Sequence, residues 1–128
     1  MKTPQRRPRK RPPTPTLSSE LTLAITAALE KKAIDVVVLD LRKASAFTDF
    51  FVICTGGNVR QVQAIAEAVQ AALAQTGTKP ALVEGLGRAE WVLIDYFDFI
   101  VHIFTPTNRE FYSLERLWGD AERVEVSA

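Results

Sequence analysis

Cysteine and histidine are almost absent from this chain of 128 residues, which has one of each, Cys54 and His102. A single cysteine excludes an internal disulfide framework and favours a reducing compartment. One cysteine and one histidine also cannot build a zinc site of the Cys/His type. Because no run of about 18 apolar residues occurs, the sequence predicts no transmembrane helix. Residues 1–25 contain no apolar stretch of the kind a signal peptide needs, so we expect no signal peptide.

Charge is divided unevenly along a chain whose composition, 47% hydrophobic and 24% charged, is that of an ordinary globular domain. Residues 1–16 carry six basic side chains, no acidic one and five of the seven prolines, whereas the other 112 residues have a net charge of −5. Such a segment cannot bury enough apolar surface to fold, so we predict a disordered, basic, proline-rich arm at 1–16. Three roles are open to the arm: a solvated tail, a weak electrostatic contact to rRNA phosphates, or an organelle transit peptide, which its prolines and lack of serine disfavour.

Hydrophobic residues at helical spacing predict three helices, the first capped by Ser18 or Ser19, the second by Asn58 and the third by Thr107 or Asn108. Five strands are predicted at 36–41, 50–54, 81–84, 91–96 and 99–104. The order is therefore αββαβββα, which indicates an α/β fold with a mixed five-stranded sheet and three helices.

The strand at 50–54 is apolar on both faces, which is typical of a central strand. Together with the second helix and the strand at 81–84, it should form a parallel crossover, and the last three strands should form an antiparallel meander. We predict one domain at 17–121, followed by a C-terminal tail at 122–128.

The last two strands are apolar on both of their faces. In the strand at 91–96, alternation places Trp91, Leu93 and Asp95 on one face and Tyr96 on the other. Three short helices can hardly cover both faces of a five-stranded sheet, so some apolar surface, including Trp91, should remain open. Large open apolar patches usually mark interaction sites. The alternative is that Trp91 packs beneath a helix as part of the core.

Candidate catalytic groups are sparse. The loop at 55–58 lies between a strand and a helix, where backbone amides can hold an anion, but it lacks the spacing of phosphate-binding motifs and suits a tight turn better. Nucleotidyl transfer needs two carboxylates on one strand face to bind Mg²⁺, and the strand after the second helix offers only Glu84. Cys54 has no basic neighbour in sequence to activate its thiol, and His102 stands alone in an apolar strand. We therefore predict no catalysis, no cofactor and no metal site.

Three blocks of sequence, taken together and in order, resemble one family. They are SAFTDFFVI at 45–53 with Thr55-Gly56 and Arg60-Gln61-Val62, then Glu84-Gly85-Leu86 with 91–96 and 101–104, and finally 109–121. These blocks are similar to those of ribosomal silencing factors of the Iojap family. The resemblance covers about residues 20–121 and leaves out the arm.

The resemblance implies a nucleotidyltransferase-like fold without the active site, which agrees with the missing carboxylate pair. It also implies a cytoplasmic protein that binds ribosomal protein fourteen of the large subunit, blocks association with the small subunit sterically, and represses translation under nutrient limitation. By the same resemblance Trp91 is the main docking residue, with Glu84, Leu93, Asp95 and Tyr96 as its neighbours. An acidic body suits a basic protein partner better than bare RNA.

One position departs from the family pattern. The family often has glycine between the two aspartates of the last hairpin, where this chain has Phe97. A two-residue primed turn needs φ > 0 there, which phenylalanine disfavours. We therefore expect a longer turn, with Phe97 as an exposed apolar tip that joins the docking contact. The apolar sheet face also favours a twofold homodimer when no ribosome is present.

Overall fold

The computed structural model describes residues 18–43, 48–113, 116, 118–119 and 121–124. The predicted arm at 1–16 and the end of the predicted tail, 125–128, lie outside these residues. The described part has three helices, α1 (Ser19–Glu30), α2 (Val59–Ala74) and α3 (Pro106–Tyr112). Its strands are β1 (Ile34–Asp40), β2 (Phe50–Thr55), β3 (Leu82–Glu84), β4 (Trp91–Asp95), β5 (Phe99–Phe104) and β6 (Glu122–Val124). None of the helices in this part is long and apolar enough to span a membrane.

Local side chains begin the first two helices as predicted. The Ser18 hydroxyl accepts a hydrogen bond from the Leu21 amide at the start of α1, and the Asn58 side chain accepts one from the Gln61 amide at the start of α2. The third helix begins earlier than predicted, at Pro106. Proline is favoured in the first helical turn because it has no amide hydrogen to leave unpaired.

The strands form a single sheet in the order β3-β4-β5-β2-β1-β6. β2 and β5 pair in parallel at the centre, and both are buried along their whole length. β3, β4 and β5 form an antiparallel meander, so β3 runs in the same direction as β2. The mixed sheet, the central position of β2 and the parallel crossover are thereby confirmed.

Within the described ranges the sheet has six strands rather than the five predicted. The additional strand, β6, lies in residues expected to be a tail and pairs antiparallel with the β1 edge from Val38 to Asp40. A strand of three residues with one apolar side chain, Val124, is too short to show an alternation pattern. Pairing here depends on the edge that β1 offers, which local sequence does not display.

Each face of the sheet has its own apolar core. The first, which we call the helix-covered face, packs against α1 and α2 and includes Val52, Ile94 and Val101. The opposite side, which we call the second face, has a smaller core. Its buried members are Leu39, Leu41, Phe51, Ile53, Ile100 and Phe104. The question for function is how much of this second face remains accessible.

Candidate functional site

One half of the second face is covered and the other half is partly open. Towards β1 and β2, Trp118 packs edge-on against Phe51 with ring centroids 5.9 Å apart, and Ala121 packs on the same core. Towards β3 and β4, Trp91 and Leu93 are only half-buried. The open apolar surface expected from the strand pattern is therefore found at this end of the sheet.

The open part consists of five residues from two neighbouring strands, and we call it the β3–β4 surface. They are Leu82, Glu84, Trp91, Leu93 and Asp95. Cross-strand pairing sets Glu84 opposite Leu93 and Leu82 opposite Asp95, so all of these side chains share one face. Leu82 is 46% exposed, and Glu84 is exposed as well. The surface thus combines three apolar side chains with two carboxylates, Glu84 beside Leu93 and Asp95 beside Leu82.

A shallow cavity of about 440 Å³ borders Trp91 and is lined by Glu84, Gly85, Trp91 and Leu93. Gly85 has φ +85°, and a Cβ atom at this position would lie 2.0 Å from the carbonyl oxygen of Trp91. Only glycine allows the chain to pass this close to the start of β4. The glycine that follows Glu84 in the family-like block therefore shapes the cavity beside the tryptophan.

The Trp91 ring is held by its neighbours on β5. Its Nε1 atom donates a hydrogen bond of 3.0 Å to Nδ1 of His102, and the indole stacks on Phe104 with ring centroids 5.1 Å apart. His102 is only 3% exposed, and burial lowers its pKa to about 4. The imidazole is therefore neutral at neutral pH. Trp91 is neither a buried core residue nor a loose surface side chain.

Tyr96 does not join this surface. Its side chain is buried on the helix-covered face, where the ring stacks on Phe99 with centroids 5.2 Å apart. Burial raises its pKa to about 12, and no described residue hydrogen-bonds to its hydroxyl. The strand alternation placed Tyr96 on this side, whereas the family resemblance had grouped it with Trp91. The alternation was the better guide, because successive strand side chains point to opposite faces.

The turn that carries Phe97 is tight, and the longer turn that we expected is absent. The Tyr96 amide donates to the Phe99 carbonyl, and the Asp98 amide donates to the Tyr96 carbonyl at 2.8 Å. With φ +72° at Phe97, this is the hydrogen bond and dihedral of a classic γ-turn, which is rare and strained.

Neighbouring side chains hold Phe97 in this conformation. Its amide donates to the Asp95 carboxylate at 2.8 Å, and its carbonyl accepts from the Thr48 hydroxyl at 2.8 Å. The ring itself is 72% exposed, as expected of an apolar tip. Phe97 lies two residues after Asp95, the end of the strand that carries Trp91 and Leu93, so it extends the line of the β3–β4 surface.

The glycine loop before α2 has its amides occupied by the protein. The Gly56 amide donates to the Phe104 carbonyl, and the Gly57 amide donates to the Gln61 side chain at 2.7 Å. Gln61 also donates to the carbonyl oxygens of Lys31 and Lys32, which ties the end of α1 to the start of α2. A Cβ atom on Gly56 would lie 2.9 Å from Val62. These contacts fit the tight-turn interpretation and leave neither glycine amide for a phosphate.

Cys54 and His102 cannot act as a pair. Cys54 belongs to the helix-covered core, whereas His102 lies in the aromatic cluster of the second face with Trp91. Burial raises the pKa of the Cys54 thiol to about 12, despite the opposing charge of Arg109, so the thiol stays protonated. Across the part of the chain that the structure describes, no three His, Cys, Asp or Glu side chains gather into a possible metal site.

Comparison with known proteins places the sequence and the fold of this chain in one family. Residues 14–128 match the family described as "Ribosomal silencing factor during starvation". A ribosomal silencing factor of Halalkalibacterium halodurans is 44% identical over 106 residues, covering 83% of this chain and 91% of the relative. The chain belongs to the ribosomal silencing factor family. It is accordingly a regulator of translation with a ribosome-silencing role, and it is not an enzyme.

Other relatives of this silencing factor agree in sequence and in fold. The Bacillus subtilis ribosomal silencing factor is 41% identical over 108 residues, covering 84% of this chain and 92% of the relative. A crystal structure of a Chromobacterium violaceum protein superposes with a TM-score of 0.76 at 34% identity, covering 85% of this chain and 88% of that one. The chloroplast protein Iojap of Zea mays is 34% identical over 90% of this chain and 54% of its own length. The Iojap resemblance and the α/β fold expected from the sequence are confirmed.

Proposed function

We propose that this silencing factor docks through the β3–β4 surface on ribosomal protein fourteen of the large subunit and thereby blocks association with the small subunit. The observation that carries the proposal is the half-buried Trp91, held in place beside a cavity on an accessible part of the sheet. Tryptophan is enriched among the residues that dominate interface energies, because it buries a large and rigid apolar area.

The chemistry of the surface favours a basic partner with an apolar centre. Glu84 lies opposite Leu93 and Asp95 follows it on the same face of β4, and residues 17–128 have a net charge of −5. Complementary charge around an apolar centre speeds encounter and sets the register of the two proteins. Phe97 adds an exposed apolar group beyond Asp95.

Steric exclusion is a sufficient mechanism for a protein of this size. A folded body of about 110 residues is about 30 Å across. Bound on the face that the small subunit must approach, it would hold the subunits apart without any chemical step. The family description names starvation, which fits repression of translation when nutrients are scarce. A homodimer of the free protein stays a prediction, and it would use the same surface.

Replacing Trp91 by alanine tests the proposal. We expect the Kd for purified large subunits to rise about 30- to 1,000-fold, which corresponds to a loss of about 2–4 kcal/mol at a central interface residue. Because the ring is only half-buried, the free energy of unfolding should fall by about 1–3 kcal/mol at most. Sedimentation of the variant with purified subunits would also show restored subunit association.

The second tryptophan provides a matched control. Trp118 lies on the same face but packs in its covered half against Phe51. Trp118→Ala should therefore lower the melting temperature while its folded fraction binds large subunits as the unmodified protein does. If folded Trp91→Ala bound large subunits with unchanged affinity, the docking surface would lie elsewhere.

A further inference from the structure

We propose that His102 is a positioning residue for docking, whose Nδ1 atom accepts the indole N–H of Trp91 and holds the ring in the orientation that the partner contacts. This inference rests on the proposed function and concerns how the surface is prepared for binding.

The geometry fixes Trp91 from two directions. Trp91 pairs with Phe104 and Leu93 pairs with His102, so Trp91 and His102 occupy diagonal positions on neighbouring strands. The hydrogen bond of 3.0 Å spans this diagonal, while the indole stacks on Phe104 at an interplanar angle of 26°. The Phe51 ring meets the imidazole edge-on, with centroids 4.6 Å apart, and so fixes His102 in turn.

The hydrogen bond also determines where the proton of His102 lies. An indole N–H can only donate, so Nδ1 must be unprotonated and the neutral imidazole carries its hydrogen on Nε2. Nε2 is buried and has no hydrogen-bond partner among the residues that the structure describes. A buried donor without a partner lowers stability, and phenylalanine, an apolar ring of similar size, would avoid that cost. Histidine is therefore a poor choice for packing alone, and its Nδ1 contact explains its presence.

A fixed indole is a better docking group than a mobile one. Binding orders flexible side chains at a cost, and a ring already held in place avoids much of it. Because the N–H is donated within the sheet, Trp91 presents carbon atoms to its partner. The contact at this residue should therefore be apolar, with hydrogen bonds and ion pairs left to the carboxylates around it.

Two substitutions of His102 separate positioning from packing. His102→Phe removes the acceptor but keeps a ring, and we expect the Kd for purified large subunits to rise about tenfold while the melting temperature stays equal or increases. His102→Asn places an amide oxygen near the position of Nδ1 and should restore the affinity to within about threefold of the original.

The indole proton gives a direct readout of the contact. In ¹⁵N-labelled protein the Nε1–H signal of Trp91, assigned with Trp91→Phe, should be protected from exchange in the unmodified protein and in His102→Asn. It should lose that protection in His102→Phe. A purely structural role for His102 would leave the indole signal unchanged between variants of equal stability. Ile53→Val is the packing control, since Ile53 pairs with His102 from β2, the strand on the other side of β5 from Trp91.

The outcomes distinguish this inference from the proposed function. If His102→Phe bound as tightly as the unmodified protein while Trp91→Ala did not bind, positioning would be refuted and docking through Trp91 would stand. Equal losses in both His102 variants without a change in the indole signal would refute it as well. If folded Trp91→Ala bound normally, the docking surface itself would be refuted.

Discussion

At the scale of single residues, His102 makes the stability of the protein depend on pH. Burial lowers its folded pKa to about 4, below the ordinary value of 6.5. The unfolded chain therefore takes up a proton on this residue between those values while the folded protein does not, so stability falls as pH falls. Between pH 7 and pH 5 this residue alone should remove about 2 kcal/mol from the free energy of unfolding.

Urea unfolding of the protein and of His102→Asn at pH 7 and pH 5 measures this contribution. Both proteins share the same carboxylates, so the difference between their pH dependences isolates the histidine. We expect the asparagine variant to lose about 2 kcal/mol less over this range. Equal losses of stability in the two proteins would mean that the pKa of His102 in the folded protein is not lowered.

Part of the candidate site could be predicted from the sequence. The predictable part depends on local patterns along one strand, and the rest depends on how two strands pair. Alternation along β4 is a local property, so it placed Trp91, Leu93 and Asp95 on one face without knowledge of the neighbouring strands. The hydrogen bond to His102 depends on the register between β4 and β5, which a single strand does not display. His102 was accordingly interpreted from the sequence as an isolated residue in an apolar strand.

At the scale of secondary structure elements, the tight turn between β4 and β5 has opposite effects on stability and on docking. The conformation of Phe97 lowers stability, whereas its exposed ring is expected to strengthen the docking contact. Phe97 has φ +72°, a conformation that favours glycine, and its ring is 72% exposed. Phe97→Gly should therefore raise the free energy of unfolding by about 0.5–1 kcal/mol, since relief of strain exceeds the added entropy of the unfolded chain. The same change should weaken binding to large subunits about three- to tenfold if the ring joins the contact.

Asp98→Gly serves as the control for the turn. Asp98 does not have a positive φ, so glycine there adds unfolded-state entropy without relieving strain and should lower stability slightly. Denaturant unfolding and subunit binding of the two variants give the comparison. Unchanged binding by Phe97→Gly would place the tip outside the interface, whatever its effect on stability.

Elements were predictable where their signals are local. Ser18 and Asn58 cap helices through their own side chains, and β2 is apolar on both faces because it lies at the centre of the sheet. β6 was missed because its pairing depends on a distant edge. The tight turn at Phe97 was missed because one of the side chains that stabilise it, Thr48, lies far away in the sequence, although the other, Asp95, is only two residues away.

At the scale of the whole molecule, the uneven charge suggests two modes of contact with the ribosome. The family match begins at residue 14 and so leaves nearly all of the predicted basic arm outside it. The acidic remainder carries the β3–β4 surface, which has shape as well as charge. A proline-rich segment of six cations can attract phosphates without reading sequence or shape. Specific recognition is therefore expected from the folded part, and the arm should add a salt-sensitive increment.

Deleting residues 1–16 tests this division of roles. The melting temperature should not change, because a basic, proline-rich segment offers little apolar surface to a core whose described members run from Leu21 to Val124. Affinity for large subunits should fall mainly at low salt, since up to six counterion-releasing contacts would be lost, and the slope of log K against log salt should become shallower by up to about five. A full-length variant with the six basic residues changed to glutamine separates charge from length and should behave like the deletion. If the deletion abolished binding at physiological salt while Trp91→Ala in the full chain did not, the arm would be the recognition element and the acidic body its carrier.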